Sequence, residues 1–307
     1  MKHLFIVNPI AGGKDKRIAV SRAVKAAFEK RDGENEVYIT SAPMDAVEKI
    51  KADAACHDHL RVYACGGDGT FNECVCGAAL RENVAVCPFP TGTGTDFCRM
   101  LGEEKELFRN LEALLDGIEH PIDLIDCNGR YSANICSVGI DARIGTEVHK
   151  YSKLPLMGGP AAYIISTIVN VFKGINRPMR IQSDNYNDSG AYALLCVCNG
   201  RYYGGGFNPS PNAMPDDGML DIYAVPGLSL LSLARYIGHY ASGKAEQYPD
   251  VIKHFRGTRL RIDFEDENVV NVDGEAIFAK SVEIKLIPSA LRLIVPAGMK
   301  FFEQKRH

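Results

Sequence analysis

A glycine-rich segment between a short apolar stretch and a helical pattern limits what this chain can fold into. The segment is Cys65-Gly66-Gly67-Asp68-Gly69-Thr70, and it follows strand-forming residues at 60–64. Apolar residues then recur at spacings of three and four, which indicates one face of a helix. Thr70 and Glu73 have capping-box spacing, so the predicted helix begins at Thr70. A strand, a glycine turn and a helix N-terminus present backbone N–H groups to an anion such as phosphate.

Asp68 is the unusual member of this turn, because a carboxylate repels a bare phosphate group. An acid at this place is explained if a divalent cation lies between the carboxylate and the phosphate oxygens. The plain alternative is a tight turn that needs glycine for steric reasons. The run Gly-Gly-Asp-Gly-Thr is more specific than a lone glycine pattern, so we favour a phosphate-binding turn.

The length and composition indicate a soluble protein of two domains. The 307 residues carry a net charge of −3 and ten cysteines, and a chain of this length buries a sizeable core. The small negative charge argues against a surface that coats nucleic acid. The cysteines form no CxxC pair and several lie in apolar segments, which favours reduced thiols in the cytoplasm. We find no signal peptide and no apolar run approaching the ~20 residues needed to cross a bilayer.

The first half of the chain alternates strand patterns with helix patterns. Strands are predicted at residues 4–7, 37–40, 60–64 and 84–87. This alternation indicates a parallel α/β sheet, in which ligands bind at the carboxyl ends of the strands. A second loop rich in glycine and threonine spans 90–97, and Asp96 is a candidate helix N-cap there. The pattern over 107–117 predicts an amphipathic helix.

The second half has a different periodicity. Apolar and charged residues alternate in two stretches, with apolar positions at Leu260, Ile262, Phe264, Val282, Ile284 and Leu286. A period of two indicates half-buried antiparallel strands, and helices are predicted near 160–173 and 228–242. We place the domain boundary near 126, which gives an α/β domain over 1–126 and a β-rich domain over 127–289. Residues 290–307 are a candidate to rejoin the first domain.

Taken together, these motifs resemble a bacterial diacylglycerol-kinase-type lipid kinase, a family that shares its signature turn with sphingosine and NAD kinases. Residues 66–70 match that turn, and residues 92–97 match a later nucleotide loop with Thr95 in place of the usual asparagine. Further matches lie at Asn8-Pro9 with Gly12, 138–142, 204–207, 211–221 and 273–275. The resemblance implies an α/β fold with an N-terminal Rossmann-like parallel sheet for the nucleotide and a C-terminal antiparallel β-sandwich domain for the lipid substrate.

The resemblance also implies the residues of an ATP site and of a structural magnesium site. The expected ATP contacts are Asn8, Thr40, Gly66, Gly67, Asp68, Gly69, Thr70, Phe71, Asn72 and Thr93. A structural Mg²⁺ is expected on the acidic loop, held by Asp217 and by the backbone carbonyl groups of Met214 and Met219. The alternative interpretation of Asp216-Asp217-Gly218 is a simple turn, and the sequence does not favour either one.

Asp273 and Glu275 are the candidate catalytic carboxylates. On extended backbone, residues two apart point the same way, and neighbouring carboxylates disfavour each other's ionised form, which raises an apparent pKa of the pair. One of them would accept the proton of a lipid hydroxyl as it attacks the γ-phosphate of ATP. Asp141 is a candidate to orient this network, and Asp68 would act beside the phosphates. The alternative is an acidic hairpin turn after Asn271-Val272.

The favoured function is an ATP-dependent lipid kinase that phosphorylates diacylglycerol or a related lipid in phospholipid metabolism. An NAD-kinase-like enzyme for a soluble metabolite shares the turn, and a catalytically inactive nucleotide sensor would share the fold; the carboxylates argue against the sensor. A lipid substrate implies peripheral contact with an anionic membrane. The candidates for that contact are the apolar 161–172 segment and the basic residues Lys253, Arg256, Arg259 and Arg261. We expect a cytoplasmic enzyme without nucleic acid partners. The sequence does not decide between a monomer and a homo-oligomer.

Overall fold

The structure is a computed structural model, and it describes residues 1–9, 16–91, 95–152, 166–167, 169–171 and 173–303. The chain forms two compact units: the first comprises residues 1–124 and 288–307, and the second comprises residues 125–287. All ten cysteines are free thiols. Within the described residues, no helix combines the length and the apolar character needed to cross a membrane.

The first unit is built on parallel strands. They are β1 (Lys2–Val7), β2 (Glu34–Ile39), β3 (Leu60–Cys65), β4 (Val84–Pro88) and the C-terminal part of β13 (Glu275–Val295). Their order is β2-β1-β3-β4-β13, and each neighbouring pair runs parallel. Strands β1, β3 and β4 are buried along their whole length, which is typical of parallel strands covered on both faces. The fifth strand comes from the far end of the chain, where residues 290–307 are the predicted candidate to rejoin the first domain.

The helices of the first unit differ in extent from the sequence prediction. They are α1 (Arg17–Phe28), α2 (Asp45–Cys56), α3 (Asp68–Ala78), α4 (Asp96–Arg99) and α5 (Leu111–Leu115). The single helix predicted over 107–117 is wrong, because a 3₁₀ segment (Gly102–Arg109) precedes α5. Asn110 separates the two and caps α5, since its side-chain oxygen accepts the N–H of Ala113 at 3.2 Å.

The second unit consists mainly of antiparallel strands. After β5 (Ile118–Cys127), which begins in the first unit, they are β6 (Arg130–Ser132), β7 (Ile135–Gly139), β8 (Arg177–Ser183), β9 (Asn187–Cys198), β10 (Leu220–Pro226), β11 (Lys253–Gly257), β12 (Arg259–Val272) and β13. The order is β11-β10-β9-β7-β12-β13, and β8 pairs with both β9 and β12. Among the described residues, the longer helices of this unit are α6 (Ile140–Ser152) and α7 (Leu230–Ala241).

The core of the second unit confirms the period-two pattern. Leu260 lies opposite Ile284 and Ile262 opposite Val282, and all four are fully buried in one cluster. Strand β9 is buried on both faces, because Val197 belongs to this cluster and Cys196 to a second one. The helix predicted over 228–242 is found as α7, whereas most of the one predicted over 160–173 lies outside the described residues.

Candidate functional site

The signature turn lies at the carboxyl end of β3, as predicted. The helix that follows begins at Asp68, two residues earlier than the predicted Thr70, and its N-cap is Gly67. The capping-box prediction is therefore wrong, and the N-cap glycine has no side chain that could cap this helix. Gly66 is sterically required, because a Cβ atom there would lie 2.2 Å from the Thr70 Oγ1 atom. Among the described residues, and apart from chain neighbours and the helix's own backbone, a Cβ atom at Gly67 or Gly69 would meet no atom within 4 Å, so these two glycines lie on the more open side of the turn.

Three of the predicted ATP-contact regions follow neighbouring strands at the same edge of the sheet. Val7 pairs with both Ile39 and Cys65, so the residues that come next, Asn8, Thr40 and Gly66, leave the sheet together. The Asn8 Nδ2 atom donates a hydrogen bond to the Thr70 Oγ1 atom at 3.3 Å. The N–H of Thr40 donates to the carbonyl oxygen of Val7 at 3.0 Å. The structure therefore brings together residues that are more than sixty positions apart in the chain.

The second glycine-rich loop contacts the signature turn. The Asp68 Oδ1 atom accepts the backbone N–H of Asp96 at 2.7 Å. The N-cap of α4 is Thr95, whose Oγ1 atom accepts the N–H of Cys98 at 3.2 Å. The prediction of Asp96 as the cap is therefore wrong, and the threonine that replaces the usual asparagine has this capping role. Thr93 lies outside the described residues.

Phe71 and Asn72 face the interior of the first unit. Their exposed fractions are 4% and 2%. The Phe71 ring packs on the Phe97 ring, with 5.0 Å between the centroids, and the Asn72 Oδ1 atom lies 3.8 Å from the Cys76 thiol. Any contact of these two residues with a nucleotide would go through backbone atoms, whereas their side chains fix α3 against the rest of the unit.

In the second unit, Asp273 and Gly274 form the two-residue turn between β12 and β13. Both have positive φ angles, +49° and +95°, and Val272 pairs with Glu275 across the turn. Two central residues with positive φ define a type I′ hairpin, for which Asp-Gly is a preferred sequence. The premise that Asp273 and Glu275 lie on extended backbone and point the same way is therefore wrong. The backbone instead forms the acidic hairpin turn after Asn271-Val272 that was the alternative prediction.

The two carboxylates of this hairpin have different surroundings. The Asp273 carboxylate accepts the backbone N–H of Ile135 at 2.8 Å and that of Ala133 at 3.2 Å, so both of its oxygen atoms bind the start of β7. The Glu275 side chain is 54% exposed, and its carboxylate lies 3.8 Å from the Arg130 guanidinium. Asp273 thus shapes the hairpin, and Glu275 presents its carboxylate to solvent.

Asp141 lies at the start of α6, directly after β7, and binds a tyrosine pair that the sequence did not single out. Its Oδ2 atom accepts the Tyr203 hydroxyl at 3.0 Å, and its Oδ1 atom accepts the N–H of Ala142 at 2.7 Å. The Tyr203 hydroxyl also lies 3.2 Å from the Tyr240 hydroxyl. Burial raises the pKa of Asp141 to about 7, so near neutral pH this carboxyl group exists in both protonation states. The contacts found for Asp141 are with the tyrosine pair and not with the hairpin that it was predicted to orient.

The acidic loop has a cation partner of its own within the protein. The Asp217 carboxylate forms an ion pair with the Arg256 guanidinium, and its Oδ1 atom accepts the N–H of Met219 at 3.0 Å. The Met214 sulfur accepts a hydrogen bond from Arg201 at 3.0 Å. The predicted magnesium site offers one side-chain oxygen ligand, and that carboxylate already neutralises an arginine. In the described part of the chain, no three His, Cys, Asp or Glu side chains group to hold a metal ion. The predicted site needs only one carboxylate and two backbone carbonyl groups, so a magnesium ion on this loop stays a prediction.

Replacing Arg256 should destabilise the second unit. We expect Arg256→Leu to lower the melting temperature by about 2–4 °C, because a partly exposed ion pair contributes up to about 1 kcal/mol. Arg261→Leu is the matched control, since Arg261 pairs only with its strand neighbour Asp263 among its described contacts. Melting of the wild type with EDTA and with excess Mg²⁺ tests the predicted loop magnesium in the same measurement, and an Arg256→Leu variant as stable as Arg261→Leu would contradict a stabilising role of the Arg256 ion pair.

Comparisons with known proteins match one family model to the first part of the chain and another to the second part. Residues 2–127 match the family model described as the diacylglycerol kinase catalytic domain, and residues 134–295 match the YegS C-terminal NAD kinase beta sandwich-like domain. The probable lipid kinase YegS-like of Stenotrophomonas maltophilia is 31% identical over 276 residues, which cover 86% of this chain and 87% of that protein. The diacylglycerol kinase of Bacillus subtilis is 27% identical over 273 residues, which cover 88% of each.

A solved structure shows the same similarity over the whole chain. The crystal structure of a diacylglycerol kinase from Bacillus anthracis has a TM-score of 0.70 and 25% sequence identity, and the match covers 97% of this chain and 98% of that one. Together these matches define a kinase with a mixed α/β fold and a C-terminal domain similar to a β-sandwich. The chain belongs to the family of YegS-like lipid kinases that carry the diacylglycerol kinase catalytic domain.

Proposed function

We propose that this kinase transfers the γ-phosphoryl group of MgATP to the hydroxyl group of diacylglycerol or a related lipid. The first unit, with its Rossmann-like parallel strands, binds the nucleotide, and the second unit binds the acceptor. The observation that carries the proposal is the convergence of Asn8, Thr40 and the turn at Gly66 at one edge of the parallel sheet. The N-cap of α3 at this edge is Gly67, which has no side chain to cover the backbone N–H groups, and helix N-termini favour phosphate groups.

The acceptor hydroxyl must lose its proton as it attacks the γ-phosphate, and we propose Glu275 as the carboxylate that takes it. Both oxygen atoms of Asp273 bind backbone N–H groups, whereas the side chain of Glu275 is more than half exposed. A general base needs an oxygen within hydrogen-bond reach of the substrate hydroxyl. Asp273 acts as the positioning residue, because its carboxylate fixes the turn from which Glu275 projects.

The test of the proposal is a panel of acceptors with the purified chain and γ-labelled ATP. The panel contains diacylglycerol, phosphatidylglycerol, a sphingoid base, a prenol and NAD. We expect label to appear on a lipid. Transfer to NAD with no transfer to any lipid hydroxyl would instead support the NAD-kinase-like alternative, and nucleotide binding without any transfer would support a sensor.

The glycines of the turn allow fold and nucleotide binding to be tested separately. We expect Gly69→Ala to keep or raise the melting temperature, because alanine is preferred over glycine in a helix by about 0.5–1 kcal/mol. The same change should weaken ATP binding about tenfold or more, since the added methyl group would enter space used by the phosphates. Gly66→Ala is the matched comparison: its Cβ would overlap Thr70, so this variant should lose stability. Unchanged ATP affinity in Gly69→Ala, measured by calorimetry, would place the phosphates elsewhere.

A further inference from the structure

Helix α7 turns its apolar side outward. Of its twelve residues, only Tyr240 is buried. Leu231 is 82% exposed, Leu230 is 56% exposed and Ile237 is 39% exposed. A surface helix of a globular protein normally does the opposite and points its polar residues to water. The helix is nevertheless well formed, because the Ser229 hydroxyl accepts the N–H of Ser232 at 3.1 Å and caps it.

The outward residues share one continuous face of the helix. Leu230, Ala234, Ile237 and Gly238 follow the i, i+4, i+7, i+8 spacing, and all four are exposed, as is Leu231 beside them. We call these five residues the α7 apolar face. The opposite side attaches the helix to the second unit: the Tyr240 hydroxyl lies 3.2 Å from that of Tyr203, and the Tyr236 ring packs on Tyr248 with centroids 5.2 Å apart. The α7 apolar face is therefore held rigidly and without a cover on the described surface.

The charged residues in the chain segment that carries this face have a single sign. No aspartate or glutamate occurs between Asp221 and Glu246, whereas Arg235 and Lys244 lie in this stretch and both are exposed. An apolar surface bordered by cations complements a bilayer with anionic headgroups. A second copy of the chain fits less well, because symmetric pairing would bring the two Arg235 side chains towards each other. The face also offers five residues, whereas a standard protein interface has about 20–30 a side.

The basic residues predicted for membrane contact are less suitable than this face. Arg256 pairs with Asp217, Arg261 with Asp263, and Arg259 lies 3.8 Å from Glu283. Lys253 donates to the backbone carbonyl of Pro249 at 2.8 Å. Nearby carboxylates offset the charge of the three arginines, so this group presents little net positive charge to a membrane.

We propose that the α7 apolar face docks on the surface of an anionic lipid bilayer and inserts its leucine and isoleucine side chains among the headgroups. The inference rests on the proposed lipid kinase function and adds where the enzyme meets the membrane that contains its acceptor. Docking of this kind adds apolar burial to electrostatic attraction, so that binding weakens as salt rises.

The test compares Leu231→Asp with wild type in sedimentation with vesicles of phosphatidylcholine containing phosphatidylglycerol. We expect binding at least about tenfold weaker, because a leucine that would be buried in the bilayer on docking is replaced by an anion. The variant should stay folded, since an acid in the first turn of a helix is favourable.

Leu80→Asp is the matched control. Leu80 is 58% exposed, lies in the first unit and already has the positive φ that aspartate tolerates. Arg235→Gln should reduce the preference for anionic over neutral vesicles.

Activity measurements separate this inference from the proposed function. Leu231→Asp should lose activity on diacylglycerol embedded in vesicles and keep it on a short-chain diacylglycerol held below its micelle concentration. If wild type phosphorylates neither, the proposed function fails whatever the vesicle result. If Leu231→Asp binds vesicles as wild type does, the docking face is wrong. Light scattering that shows a wild-type dimer and a Leu231→Asp monomer, with equal vesicle binding, would assign the face to a second copy and overturn the proposal.

Discussion

Glu275→Gln should lower turnover by about 10²–10⁴-fold, the usual contribution of general-base catalysis, while ATP affinity stays near that of wild type. The amide keeps the size of the side chain but cannot accept the proton of the attacking hydroxyl. Because Glu275 is exposed and its described ion pair with Arg130 spans 3.8 Å, the fold should not change. Turnover and ATP binding are to be measured on the same preparation, together with the melting temperature.

Asp273→Asn is the informative comparison for this experiment. Asparagine has one acceptor oxygen, so the variant loses one of the two bonds to the N–H groups of Ala133 and Ile135. We expect a lower melting temperature together with reduced turnover, because the turn that carries Glu275 loosens. If Glu275→Gln keeps turnover within a few-fold of wild type and Asp273→Asn is inactive but stable, Asp273 is the base and our assignment is reversed.

Features that depend on neighbouring residues were predictable from the sequence. The strand, glycine turn and helix around residues 60–78 follow from local apolar spacing. The alternation of Leu260, Ile262 and Phe264 predicted a half-buried strand, because side chains in a strand alternate between its faces. The hairpin at Asp273-Gly274 also carried a local signal, since Asp-Gly is typical of a type I′ turn. The Asp-Gly turn sequence was a better guide than the assumption that Asp273 and Glu275 lie on extended backbone.

Features that depend on long-range pairing were not predictable. Thr70 looked like a helix cap, but its hydroxyl accepts a hydrogen bond from Asn8, which follows another strand. Asp217 was predicted as a metal ligand, and the structure adds an ion pair to its carboxylate. Its pairing with Arg256 follows from the register that places Asp221 opposite Arg256 in β10 and β11. The tyrosine partner of Asp141 lies 62 residues away in the chain. In each case the contacting residue comes from a distant segment of the chain, so local sequence patterns do not reveal the contact.

The second large effect is expected at Asp68. We expect Asp68→Asn to lower turnover by about 10²–10³-fold, because phosphoryl transfer depends on charges positioned around the phosphates and their magnesium ion. Asparagine keeps an oxygen acceptor for the N–H of Asp96, which Asp68 binds at 2.7 Å, so the contact between the two loops can persist. The variant removes the negative charge and leaves the shape of the turn, and its melting temperature should match that of wild type.

Thr95→Ala shows whether charge or loop position is responsible for that loss. This variant keeps the charge of Asp68 but removes the hydroxyl that caps α4, a change that costs about 1 kcal/mol of stability. If Asp68 acts through the magnesium ion of MgATP, Asp68→Asn should need more Mg²⁺ for half-maximal rate, and added Mg²⁺ should restore part of its activity. Thr95→Ala should show neither effect. Equal losses in the two variants, with the same Mg²⁺ dependence, would mean that Asp68 serves only to hold the second loop in place.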